Sequence, residues 1–224
     1  MNLREYPDQD MMMLDLADVI ASELVSVLDH SETASLAVPG GTTPGPVFDA
    51  LCAADLDWAR VNVMLTDERW VPESNPRSNT ALLRKRLLTN RAAAANLVPL
   101  YRAGPLEDAV LTELSQGVEA ALPLSVVLLG MGEDMHTASL FPGADNLTKA
   151  LSSNAPAVLS MQAEGAGEPR VTLSVRAINS ALSKHLVIKG AAKRIALAAA
   201  LEADDAQDAP VKAVLQDINV HWAE

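Results

Sequence analysis

Val126-Val127-Leu128-Leu129 runs without a polar residue into Gly130-Met131-Gly132. That stretch narrows the fold more than any other in the chain. A short apolar run without alternation suits a strand covered on both faces, as in a parallel sheet. The glycines mark where the chain leaves the sheet in a tight turn. The same unit recurs. Residues 34–38 run into Pro39-Gly40-Gly41-Thr42-Thr43-Pro44 and then the helical stretch 47–54. Residues 61–66 run into Asp67-Glu68-Arg69, and 185–188 run into Lys189-Gly190 before the alanine-rich helix 191–201.

Helical spacing fills the gaps. Met13, Leu16, Ala17, Ile20, Leu24, Val27 and Leu28 form one apolar stripe over 10–30, and the methionines at its start read as core or boundary packing. Ser78-Asn79 offers an N-cap for a helix over 80–88, whose Arg84, Lys85 and Arg86 read as a solvated face. A helix over 105–121 starts on a proline with Glu107 and Asp108 in its first turn, as the helix dipole favours. Further strands are expected at 97–100, 157–161 and 171–175, with a loop over 162–169 that carries Gly165, Gly167 and Pro169. Helical turns follow at 177–182 and 211–215, and the alternation over 218–222 reads as an edge strand. Strands alternating with helices predict an α/β fold, a single domain over 1–224 around a mostly parallel sheet.

The formal net charge is −12 and the pI about 4.7. Such a chain has no general basic field for phosphates, so nucleic acid is not an expected partner, and any anion must be held by local donors. Cys52 is the single cysteine, so no internal disulfide is expected, and its apolar setting reads as an inert buried thiol. The four histidines are scattered, with no metal-ligand spacing. The first residues show no signal pattern, and no apolar run approaches the ~20 residues of a membrane span. A cytoplasmic protein, away from membranes and monomeric or weakly self-associating, is expected.

Chemistry-bearing residues gather after the strands. Behind Gly132 stand Glu133, Asp134, His136, Thr137 and Ser139. In open α/β sheets ligands sit outside the strands' carboxyl ends. His136 can take and return a proton near neutrality, and Asp134 can fix its tautomer. A histidine near a strand end is often only a surface residue; the order of strand, glycine turn, acid, histidine and hydroxyls favours function here. Gly40, Gly41, Thr42 and Thr43 stand between strand and helix, the arrangement that cradles phosphate, although it is also an ordinary connection. Arg69 is suited to gripping a carboxylate or phosphate with paired bonds.

Taken together, PGGTTP (39–44), LTDERWVP (65–72) with SN (78–79), GMGEDMHTASLFPG (130–143), RVTLS (170–174) and KG (189–190) resemble the 6-phosphogluconolactonases. The resemblance implies a modified Rossmann-like sheet related to sugar-phosphate isomerases and amino-sugar deaminases. It implies hydrolysis of 6-phosphoglucono-δ-lactone in the oxidative pentose phosphate pathway, without metal or organic cofactor. His136 matches the general base, Asp134 its orienting partner, and Arg69 a residue near the attacked lactone group. Gly40, Gly41, Thr42, Thr43, Asp67, Ser78, Asn79, Arg170 and Lys189 match substrate- or phosphate-binding positions. The chain departs from the family pattern at Met135, where a glycine commonly stands.

Two other readings stand beside this one. A related deaminase or isomerase would carry a glutamate where Phe141 stands. A sugar-phosphate sensor would add a DNA-binding segment, and no basic helix pair is present.

Overall fold

Runs rich in Val and Leu become the sheet because both of its faces are covered. The computed structural model describes residues 1–164 and 167–224, so Gly165 of the expected 162–169 loop lies outside the described residues. Six strands pair with a seventh in one parallel sheet: β1 (Asn2–Glu5), β2 (Ala34–Val38), β3 (Val61–Leu65), β5 (Asn96–Leu97), β6 (Val126–Leu129), β9 (Ser183–Lys189) and β10 (Asn219–Ala223). Their spatial order is β1-β10-β9-β6-β2-β3-β5. β2 and β6 are buried along their whole length. Three further strands, β4 (Asp67–Arg69), β7 (Val158–Met161) and β8 (Arg170–Leu173), form a separate antiparallel sheet in the order β4-β8-β7.

The expected parallel α/β architecture is present. Helices α1 (Gln9–Leu28), α2 (Gly45–Leu51), α3 (Asn79–Arg86), α4 (Asp108–Glu119), α5 (Leu147–Leu151), α6 (Val175–Asn179) and α7 (Gly190–Glu202) connect the strands. α1 begins at Asp8, whose side chain accepts from Met11 N–H, and buries Met12, Met13, Leu16, Ala17, Ile20, Leu24 and Leu28. Met11, the first of the three methionines, is more than half exposed rather than packed. Cys52 is buried, as expected. Among the described residues no helix is long and apolar enough to cross a membrane.

Several boundaries differ from expectation. The 218–222 segment is not an edge strand: β1 pairs outside it, from Asn2 opposite Asn219 to Glu5 opposite Trp222. β1 is exposed along its length, so apolar periodicity could not reveal it. Residues 67–69, read as a charged cluster at the end of a strand, form β4 because β8 pairs with them. α4 begins at Asp108, so Pro105 and Glu107 precede the helix rather than opening it. The 171–175 strand is shifted: β8 ends at Leu173, and Ser174 caps α6 through a bond from Ala177 N–H. The 97–100 strand shrinks to β5, and 211–215 becomes a 3-10 turn, Pro210–Val214. Arg86 is less solvated than expected, because it is ion-paired with Asp49 on α2.

The topology sets the site. From β2 the sheet continues through β3 and β5 on one side, and through β6, β9 and β10 on the other. The turns that leave β2 and β6 therefore diverge, which opens a crevice at the strands' carboxyl ends. The small sheet brings a second group of residues there, because β4 pairs with β8 so that Arg69 faces Arg170 and Asp67 faces Thr172.

Candidate active site

A cavity of about 560 Å3 opens at that crevice. The turn after β2 lines it with Gly40, Gly41, Thr42 and Thr43. The loop after β6 adds Gly132, Glu133 and His136. Asp67, Arg69, Asn79, Arg170 and Lys189 complete the polar wall. Of the residues singled out in the sequence, Ser78, Asp134, Thr137 and Ser139 stand apart from this lining. Asp134 reaches the site only through His136. Ser78 is the N-cap of α3, buried and bonded to Ala81 N–H and to Glu68.

His136 is held on three sides. Its Nδ1 lies 2.5 Å from Asp134 Oδ1, and its backbone N–H donates to the same oxygen at 3.3 Å. A carboxylate only accepts, so Nδ1 carries the proton and Nε2 is left as the acceptor. The Phe141 ring packs on the imidazole with centroids 4.5 Å apart. Gly132 closes the third side: a Cβ there would lie 2.1 Å from Asp134 Oδ1 and 2.2 Å from His136 Nδ1. The loop folds tightly, with Gly132 N–H donating to His136 O at 2.8 Å and Thr137 Oγ1 to Gly130 O at 2.8 Å. Met135 and Ala138 flank the histidine at φ +64° and +50°. The left-handed backbone at Met135 is one a glycine would adopt without steric cost.

The arginines come from the small sheet. Arg69 Nη1 donates to Arg77 O at 2.6 Å and to Asn79 Oδ1 at 3.3 Å. Arg69 Nε is buried without a hydrogen-bond partner among the described residues. Arg170 is nearly buried, with Nη1 3.7 Å from Asp67 Oδ2 and its guanidinium 5.8 Å from the Phe141 centroid. Burial is the largest influence on Arg170 and pulls its pKa down from the ordinary arginine range; Asp67 raises it and Arg69 lowers it. Asp67 also accepts from Ser139 Oγ at 2.6 Å. Ser139 is fully buried, so its hydroxyl is committed to that contact. Among the described residues no three His, Cys, Asp or Glu side chains gather as a metal-ligand set.

Sequence reasoning missed Lys193 and Phe141 as lining residues, while Glu133 of the cluster after Gly132 does line the cavity. A signal for Lys193 existed. It stands in the first turn of α7, where the dipole disfavours a cation, and four residues after Lys189. A side chain set against local preference marks a site more often than a scaffold.

A family model described as glucosamine-6-phosphate isomerases/6-phosphogluconolactonase matches residues 7–222. The chain belongs to this family. Relatives and solved structures of the family cover nearly all of it. The 6-phosphogluconolactonase of Rhizobium meliloti (strain 1021) is 40% identical over 229 residues, 99% of this chain and 98% of its own. That of Pseudomonas aeruginosa is 40% identical over 210 residues, 92% of this chain and 88% of its own. The crystal structure of a 6-phosphogluconolactonase from Shewanella baltica OS155 aligns with a TM-score of 0.95 at 33% identity, covering 100% of this chain and 97% of that one. A monomeric glucosamine-6-phosphate deaminase shares the fold, with a TM-score of 0.79 at 18% identity.

Proposed function

We propose that this family member hydrolyses 6-phospho-D-glucono-1,5-lactone to 6-phospho-D-gluconate, with His136 activating water and no metal ion required. One observation carries the reading. The imidazole is tied through Nδ1 to Asp134, leaving Nε2 as its free acceptor, on the same cavity as the glycine turn and the cations.

The steps follow from that geometry. Water attacks the lactone carbonyl carbon while His136 Nε2 takes one of its protons. Asp134 stabilises the imidazolium that results. The tetrahedral oxyanion is met by the guanidinium of Arg69, which lines the cavity. The bond from that carbon to the ring oxygen then breaks, and His136 returns its proton to the departing oxygen, which becomes a hydroxyl. A lactone is an activated ester, so no acyl-enzyme is needed. Ser139, buried and donating to Asp67, is not offered as a nucleophile.

Remote from the reacting carbon, the phosphate supplies binding energy that orients the carbonyl. Gly40, Gly41, Thr42 and Thr43 give it backbone and hydroxyl donors. α2 behind them has only seven residues, so the charge must come from side chains. Arg170, Lys189 and Lys193 provide it. Asn79 and Asp67 line the wall between the two ends, and Ser78 supports them as the cap of α3.

The test is a coupled assay on fresh lactone, corrected for spontaneous opening. His136→Ala should lose about 10²–10⁴ in kcat, while a metal chelator should leave the parent protein's rate unchanged. Near-normal turnover in the variant would remove His136 from the base role. Brisk release of ammonia from glucosamine 6-phosphate would overturn the lactonase reading in favour of the deaminase branch.

A further inference from the structure

Next to Arg69 stands a carboxylate the reaction does not touch. Glu68 is completely buried, and five donors converge on it. Its Oε1 accepts from the backbone N–H groups of Arg69 and Asn79, each at 2.7 Å. Its Oε2 accepts from Thr80 N–H and Thr80 Oγ1, each at 2.6 Å, and from Ser78 Oγ at 3.1 Å. Two of the N–H groups belong to the first turn of α3, which has no internal acceptor for them, and a negative group there suits the helix dipole.

A helix cap would need only those α3 contacts. Glu68 does more, because Oε1 holds the strand residue Arg69 and the helix residue Asn79 together. The link closes on itself through side chains. Asn79 Oδ1 takes Arg69 Nη1 at 3.3 Å, and Arg77 O takes the same nitrogen at 2.6 Å. Asn79 Nδ2 donates to Asp67 O at 2.9 Å. The Asn79 amide also packs on the glycine turn so closely that a Cβ on Gly40 would lie 2.2 Å from it. One buried carboxylate thus sets the separation of β4 from α3, and with it the place of the guanidinium relative to the turn.

We propose that Glu68 is a positioning residue for the hydrolysis, acting through Arg69 and Asn79 and without touching substrate. The proposal rests on the reading of Arg69 as the group that meets the oxyanion. All five contacts donate to Glu68, so an amide in its place would set an NH2 donor against at least one backbone N–H and oblige the hydroxyls to turn. The guanidinium would shift, and a displacement on the order of 1 Å can cost about 10²-fold in rate.

A double-mutant cycle decides it. Glu68→Gln, Arg69→Ala and the pair are assayed on the lactone, with the folded fraction of each measured by circular dichroism at the assay temperature. Glu68→Gln should lower kcat by roughly 10–100-fold, with KM held within about threefold because the phosphate contacts are intact. In the Arg69→Ala background the same substitution should cost less than about threefold, since coupled residues are not additive. Thr80→Val removes one hydroxyl donor and leaves the backbone bond. It should reduce kcat several-fold in the parent and not in Arg69→Ala, and it decides the matter by itself if Glu68→Gln does not fold. Equal losses in both backgrounds, or a loss matching the unfolded fraction, would overturn the role of Glu68 while leaving Arg69 in place. A silent Arg69→Ala would instead remove the oxyanion assignment, and this proposal with it.

Discussion

His136 is positioned as much by a missing methyl group as by its hydrogen bond. Asp134 fixes which nitrogen of His136 carries the proton, but the pair fits only because Gly132 has no side chain. Gly132→Ala would place a carbon within about 2 Å of both partners, a distance real Cβ atoms do not show. The imidazole and carboxylate would have to separate. Turnover on the lactone should fall by about 10²-fold or more, with KM changed far less, because the phosphate grip proposed above lies elsewhere. Steady-state kinetics on the folded variant check this; an unaltered kcat would show that the pair tolerates displacement.

At the level of elements, the loop after β6 is where the chain departs from easy backbone geometry. Met135 and Ala138 both adopt left-handed φ values, each costing on the order of 1–2 kcal/mol for a non-glycine residue. Met135→Gly should relieve that cost and keep kcat within about threefold. Met135→Val, branched at Cβ, should fit the same backbone poorly, lower the melting temperature and cost at least about tenfold in kcat. Melting curves and kinetics on the two variants check the contrast. This loop also shows what a sequence can reveal. The buried strand, the glycine turn and the Asp134–His136 pair could be read in advance, because apolar runs and glycines report burial and turning directly. β1 and β4 could not, since one is exposed and the other charged, and each exists only because β10 or β8 offers a free edge. Arg69 and Arg170 were singled out separately as anion holders, but their alignment depends on a register that nothing local encodes. Ser78 and Asn79 were adjacent in expectation and diverge in fact: Asn79 lines the cavity, while Ser78 faces Glu68.

For the molecule as a whole, stability should be limited at both ends of the pH scale by one chain of side chains away from the cavity, running from the surface through two buried histidines. Asp15 meets Tyr6 Oη at 2.6 Å, Tyr6 meets His221 at 2.8 Å, His221 meets His185 at 3.0 Å, and His185 meets Glu23 at 2.8 Å. The chain ties α1 to β9 and β10. Burial, with smaller repulsion from His185 and Arg4, pushes His221 down from 6.5 to about 4. Below pH 6.5 the unfolded chain takes up a proton there that the folded one refuses. Stability is therefore full above pH 6.5, falls as the pH drops toward 4, and loses roughly 3 kcal/mol from this group over that interval. Tyr6 moves the other way, up from 10 to about 12, mainly through burial and then Asp15. Above pH 10 the unfolded phenol ionises first, so stability falls again as pH rises. Melting temperature against pH checks both limbs, and His221→Gln should flatten the acid one.

The register that sets Arg69 opposite Arg170 has a thermodynamic side as well. Two cations on neighbouring strands repel, and Arg69 is among the influences that pull the Arg170 pKa down. A phosphorylated sugar settling beside them would turn that repulsion into attraction. The ligand would then act as mortar for the small sheet, and cells rich in sugar phosphates would hold this protein more firmly than dilute buffer does.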